Sequence, residues 1–198
     1  MLVTLLGLVA SGVFLVRLLP QPIRLARSGV AAGVSPSAAL NAVTSAMAWL
    51  AYGLLQHDPV IWVVSAFALV PCTWQVALLR SRIDRDDLAS AGGFAAAMVL
   101  AGATGWLGLA LAGSVLITAG PQVRMALVED DLSGIAPATW RVALVDAATW
   151  GAYGWAVGDL ALIGYFGVLT ASSATILARI AWTERAAAHR LAVDPSPA

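Results

Sequence analysis

Residues 20–58 and 121–159 carry one pattern twice, 101 positions apart and with no gap. Pro20-Gln21, Gly33, Pro36, Trp49, Tyr52-Gly53 and Asp58 return as Pro121-Gln122, Gly134, Pro137, Trp150, Tyr153-Gly154 and Asp159. The match amounts to eleven identities in 39 positions. Alanines account for three of them and recur by chance in an alanine-rich chain, but aligned Trp, Tyr, Gln and Pro do not. Both copies lie in strongly apolar sequence. The chain is thereby constrained to two parallel repeats in a membrane, an arrangement that places a central site between the repeats.

With 60% hydrophobic and 11% charged residues in 198, a soluble domain would lack the polar groups to cover its surface. The run Leu2 to Leu19 has no basic leader and carries Arg17 near its far end. It also contains positions matched by the second repeat, so it reads as a retained helix and not a cleaved signal. Cys72 is the only cysteine, which excludes an internal disulfide and a multi-cysteine metal site. Zero net charge, with the arginines confined to connections, argues against a nucleic-acid surface. The chain has no lysine, Gly102 and Gly105 form no nucleotide loop, and no nucleophile, base and acid fall into a catalytic pattern. We therefore expect neither an enzyme nor a cofactor.

Apolar segments bounded by charge, proline or glycine fall at about 2–19, 37–56, 59–79, 88–103, 105–123, 138–157 and 160–181. Most have the length needed to cross a bilayer, the fourth being short. That fourth segment lies outside both repeats. Two parallel three-helix units need an odd number of spans between them, so it is expected to be a linker that restores orientation. The expected fold is an all-α polytopic membrane protein with seven transmembrane helices in a 3+1+3 arrangement. Its parts are a first repeat at 1–80, a connection and linker helix at 81–103, a second repeat at 104–182 and a tail at 183–198, frayed from about Asp194.

All eleven arginines fall on one side of this plan: Arg17, Arg24 and Arg27; Arg80, Arg82 and Arg85; Arg124 and Arg141; Arg179, Arg185 and Arg190. By the positive-inside tendency that side is the cytoplasm, which puts the amino terminus outside and the carboxyl terminus inside. On the outer side, Asp58 and Asp159 stand immediately before new apolar runs, where a carboxylate caps a helix. His57 reads as an exposed loop residue, and His189 falls in the tail.

Pro20, Pro36, Pro121 and Pro137 form a symmetric set near the cytoplasmic side. Prolines at a first turn start helices and prolines late in a helix bend it, so the four are candidates for a ring of hinges. Gln21 and Gln122 are expected to satisfy carbonyls released by these prolines. Trp49 and Trp150, with Tyr52 and Tyr153 three positions on, share helix faces, and Gly53 and Gly154 permit close approach. Facing indoles would offer flat apolar walls to the C–H faces of a sugar. The other six tryptophans, Trp62, Trp74, Trp106, Trp140, Trp155 and Trp182, read as interface or packing residues. Asp146 is an intramembrane carboxylate, functional by default; its counterpart is Ser45. It is a candidate for solute or proton contact, or for pairing with Thr149 or Arg141. Asn41, one turn from Ser45, adds a polar candidate.

These motifs, Pro20-Gln21, Gly33-Val34-Ser35-Pro36 and Trp49-Leu50-Ala51-Tyr52-Gly53 with their second copies, resemble the SWEET and PQ-loop membrane transporters over nearly the whole chain. The resemblance implies alternating-access transport of a sugar down its gradient, with Pro20, Pro36, Pro121 and Pro137 as the proline ring and Trp49 and Trp150 as pocket tryptophans. Sugar-moving members add an asparagine on the third helix of each repeat, and the matching positions here are Ser65 and Phe166. The implied function is a uniporter for a small polar solute, rocking around Trp49, Ser65, Asp146, Trp150 and Phe166. A proton-coupled amino-acid or organic-cation carrier and a non-transporting sensor or assembly protein are the alternatives. Partners are the solute and membrane lipids, with a homo-oligomer open.

Overall fold

The computed structural model describes residues 2–193, and side chains as far as Ala186. The side chains of His189 and Arg190, and the tail from Asp194, lie outside the described residues. The helices are α1 (Leu2–Leu18), α2 (Pro20–Ser28), α3 (Pro36–Leu55), α4 (Pro59–Leu79), α5 (Arg85–Ala103), α6 (Leu107–Val128), α7 (Pro137–Val157) and α8 (Leu160–Val193). Among the described residues, five segments are long and apolar enough to cross a bilayer: Leu2–Ser28, Pro36–Leu55, Pro59–Arg82, Leu107–Val128 and Leu160–Ala186. The protein is a multi-pass membrane protein. Helices α5 and α7 have comparable lengths, 19 and 21 residues. They are less apolar, because α5 opens on Arg85, Asp86 and Asp87 and α7 carries Arg141 and Asp146. Large apolar side chains such as Leu5, Phe67, Val99, Leu116 and Trp155 cover the outer surface, as lipid contact requires.

Packing follows the repeat. In the first half α4 packs against both α3 and α1; in the second α8 packs against both α7 and α6. The halves meet through α1 against α7 and α3 against α6, while α5 packs on α3 and α6. Glycines set the close approaches: a Cβ on Gly53 would fall 2.5 Å from Trp62 N, and one on Gly154 would fall 2.6 Å from Leu162 Cβ.

One symmetric expectation splits in two. Pro121 sits inside a continuous α6, whereas α1 stops at Leu18 and α2 begins at Pro20. The first half has a second proline, Pro22, where the second half has Val123. Two missing amide donors in three residues interrupt the helical ladder. Leu19 N–H then donates to Val16 O and Ile23 N–H to Leu19 O. Pro36 and Pro137 each occupy a first helical turn, where the missing N–H costs nothing.

Candidate functional site

A cavity of about 180 Å³ lies between the two halves. Its walls are made largely of residues related by the repeat: Phe14 and Val115, Arg17 and Thr118, Gln21 and Gln122, Ala39 and Trp140, Trp49 and Trp150, Ile61 and Leu162, Val64 and Tyr165. Pockets for drug-sized ligands run to about 300–1,000 Å³, so this one is scaled to a small solute.

At each end of the cavity the halves are latched reciprocally. At one end the Tyr52 hydroxyl donates to Asp159 Oδ2 at 3.1 Å and the Tyr153 hydroxyl to Asp58 Oδ2 at 2.9 Å. The other carboxylate oxygen of each aspartate caps a helix: Asp58 Oδ1 accepts from Val60 N–H and Ile61 N–H, and Asp159 Oδ1 from Ala161 N–H and Leu162 N–H. Capping was legible in the sequence; the tyrosine partners were not. His57, exposed and next to Asp58 in the chain, takes a left-handed backbone at φ 54°.

At the opposite end the glutamine amides correct an expectation. They do not serve the carbonyls of their own prolines; each binds the loop of the other half. Gln21 Nε2 donates to Gly134 O at 3.0 Å while its Oε1 accepts from Ala136 N–H at 2.8 Å. Gln122 Nε2 donates to Gly33 O at 2.7 Å and its Oε1 accepts from Ser35 N–H at 2.9 Å. The two loops also touch directly, through Gly134 N–H to Ala32 O at 3.1 Å. Arg24 donates to Ser133 O and Arg82 to Ala31 O. Asp131 Oδ1 accepts from Ser133 N–H at 2.9 Å, and hydrogen bonds from the Ser133 side chain and backbone hold this exposed carboxyl below the usual carboxylate range.

Within the cavity Trp49 and Trp150 stand edge-on to Tyr52 and Tyr153, at centroid separations of 5.6 Å each. Trp49 also meets Tyr165 edge-on at 5.9 Å. Tyr165 leads to the charged part of the wall: its oxygen accepts from Arg17 Nη2 at 3.0 Å, and Arg17 Nε lies 3.1 Å from Asp146 Oδ2. The Phe14 ring lies 5.0 Å from the guanidinium carbon. Arg17, counted in the sequence with the arginines of the connections, is thus turned inward. It is the partner of Asp146, in place of Arg141 or Thr149: Arg141 is exposed, and the Thr149 hydroxyl donates to the Asp146 main-chain carbonyl. Asp146 has no exposed surface and lies behind Arg17, outside the cavity lining, whereas its repeat counterpart Ser45 lines the cavity.

Three further positions differ from expectation. Phe166 is 39% exposed and packs on Gly151, where an added Cβ would meet its ring at 2.9 Å; its neighbour Tyr165 faces the cavity instead. One residue is about 100° of helical rotation, enough to exchange the two. Asn41 is fully buried away from the cavity, its Nδ2 donating to Ile117 O at 3.0 Å and Ser90 Oγ at 3.3 Å, so it fastens α3 to α6 and α5. Trp140 lines the cavity as well as packing. Ser65 lines it too, with its hydroxyl donating to Ile61 O. The four repeat-related prolines are not in the lining; they flank the glutamines that are.

A scan against protein-family models and a search of curated proteins found no match to this chain.

Proposed function

We propose that the protein is a transporter for a small polar solute of the sugar kind, working by alternating access as a uniporter, with no chemical step. One observation carries the reading: a solute-sized cavity lined by repeat-related residues, with reciprocal polar latches at both of its ends. Breaking one set while keeping the other would expose the cavity to one side at a time, which is what a carrier needs. The resemblance of the repeated motifs to SWEET and PQ-loop transporters supports the same reading. The units that rock are residues 1–80 and 104–182, with 81–103 as the link. Trp49, Trp150 and Ser65 contact the solute. Tyr52 and Tyr153 with their aspartates gate the outer side, and Gln21, Gln122 and the neighbouring prolines gate the cytoplasmic side.

The test is entrance counterflow in proteoliposomes with a panel of labelled sugars, polyols and hydroxy acids. Exchange of at least one compound, reduced about tenfold or more in Trp150→Ala at unchanged folding, is the expected result. Absence of exchange across the panel by folded protein would leave the alternative of a sensor or assembly protein.

A further inference from the structure

The wall of the cavity is chemically unequal on its two sides. Arg17, Tyr165 and, behind them, Asp146 occupy one side; the repeat-related places opposite hold Thr118, Val64 and Ser45. Resting on the transport reading above, we propose that the solute is a sugar acid or a similar small hydroxy acid, whose carboxylate docks on Arg17 and whose hydroxyl groups reach Ser45 and Thr118.

The guanidinium is only partly used by the protein. Of its five N–H donors, one on Nη2 is spent on Tyr165 and that of Nε faces Asp146, an approach not aligned as a hydrogen bond. Among the described residues Nη1 has no acceptor, while the side chain keeps 13% exposure and lines the cavity. A planar carboxylate takes two such parallel donors at once, and a charge-assisted fork is about twice as strong as a neutral hydrogen bond. Tyr165 accepts from Arg17 and retains its own proton to donate.

The geometry selects against the opposite charge. A solute ammonium would meet the Arg17 cation, while the carboxylate of Asp146 is fully buried and covered by Arg17. Asp146 holds the guanidinium from its Nε edge, and Trp150 also faces that carboxylate. The pair therefore presents a cation to the chamber and keeps its anion at the back. A neutral sugar would satisfy the tryptophan walls and the hydroxyls but offer the Arg17 fork only neutral hydroxyl acceptors, without a counter-charge. A small acid satisfies all three.

The experiment is counterflow of D-gluconate, D-glucuronate and D-glucose by the full chain in proteoliposomes. We expect either acid to exchange about tenfold or more faster than glucose, the size of one charge-assisted hydrogen bond. In the double variant Arg17→Gln/Asp146→Asn, which removes both charges together, the ratio of acid to glucose exchange should fall about tenfold or more. Glucose exchanged in preference to both acids by the wild type would overturn the inference and leave the transport reading standing, and this arm needs no variant to fold. An undiminished ratio in the folded double variant would also overturn it. No exchange of any of the three would overturn the inference, and the wider panel then decides the fate of the transport reading.

Discussion

Tyr153 donates its hydroxyl proton to Asp58 across 2.9 Å, from the second half of the chain to the first, and Tyr52 returns the same bond to Asp159. Each aspartate serves two masters: one oxygen starts its own helix and the other holds the opposite half. A single carboxylate thus couples local helix formation to closure of the molecule. The glycines behind the tyrosines are matched in the same way, since a Cβ on Gly7 would meet the Tyr153 ring and one on Gly108 the Tyr52 ring.

Removing both hydroxyls in Tyr52→Phe/Tyr153→Phe should open that end. Each lost bond to a carboxylate is worth about 1.5–3 kcal/mol. Cys72, the only cysteine, lines the cavity with 6% exposure and serves as the reporter. Its labelling by a membrane-impermeant maleimide added at the Asp58 side should quicken about tenfold or more. An unchanged rate would mean the latches do not close the cavity.

The opposite end should respond to a single methyl group. In Gly134→Ala the new Cβ would collide with the main chain of Ala31 and Ala32, which has no flexible end to move aside. We expect a loss of about 1–3 kcal/mol in thermal unfolding, from overpacking at the loop contact. Gly12→Ala, whose Cβ would meet nothing within 4 Å, is the control and should be neutral or slightly stabilising.

Arg17 and Asp146 should behave as a unit. Taking away the Arg17 charge alone leaves Asp146 buried without a counter-ion, at a cost of about 3–5 kcal/mol, and taking away Asp146 leaves the less buried Arg17 unpaired at a smaller cost. The double variant Arg17→Gln/Asp146→Asn should recover most of that loss. Thermal unfolding of the two single variants and the double variant in the same detergent gives the coupling.

The loop at Asp131 sets a small acid dependence. Its carboxyl is held low by Ser133, so the turn is favoured above the ordinary aspartate value and loses that support as the pH falls through the lower, folded-state value. Protection of the Ser133 amide against hydrogen exchange, referenced to its intrinsic rate, should decline over that acidic range. In Asp131→Asn the decline should vanish.

Much of this was legible because the chain says it twice. Gln21 and Gln122, the capping aspartates Asp58 and Asp159 and the cavity tryptophans all recur at the same spacing, and their contacts recur with them. The tyrosine partners of those aspartates escaped, and so did what the repeat does not share. Tyr165 has Val64 as its counterpart, so symmetry could not single it out. Arg17 looked like one more cation at a helix end, and its anion belongs to a distant helix of the other half. Phe166 was placed by alignment, which fixes depth along α8 but not which way a residue faces. Even the glutamines, singled out by the repeat, were given the wrong acceptors, because a loop crossing from the other half leaves no trace in local sequence.

The interruption at Leu19 makes the molecule mechanically lopsided. Where α6 runs on through Pro121 as one helix, its counterpart has a gap in the hydrogen-bond ladder at Leu19, two residues beyond Arg17. Bending strain concentrates at the joint with the fewest main-chain bonds. If the halves tilt as the proposed carrier requires, the Arg17 side of the chamber is the wall expected to yield, and Thr118, on the continuous α6, the one to stay put.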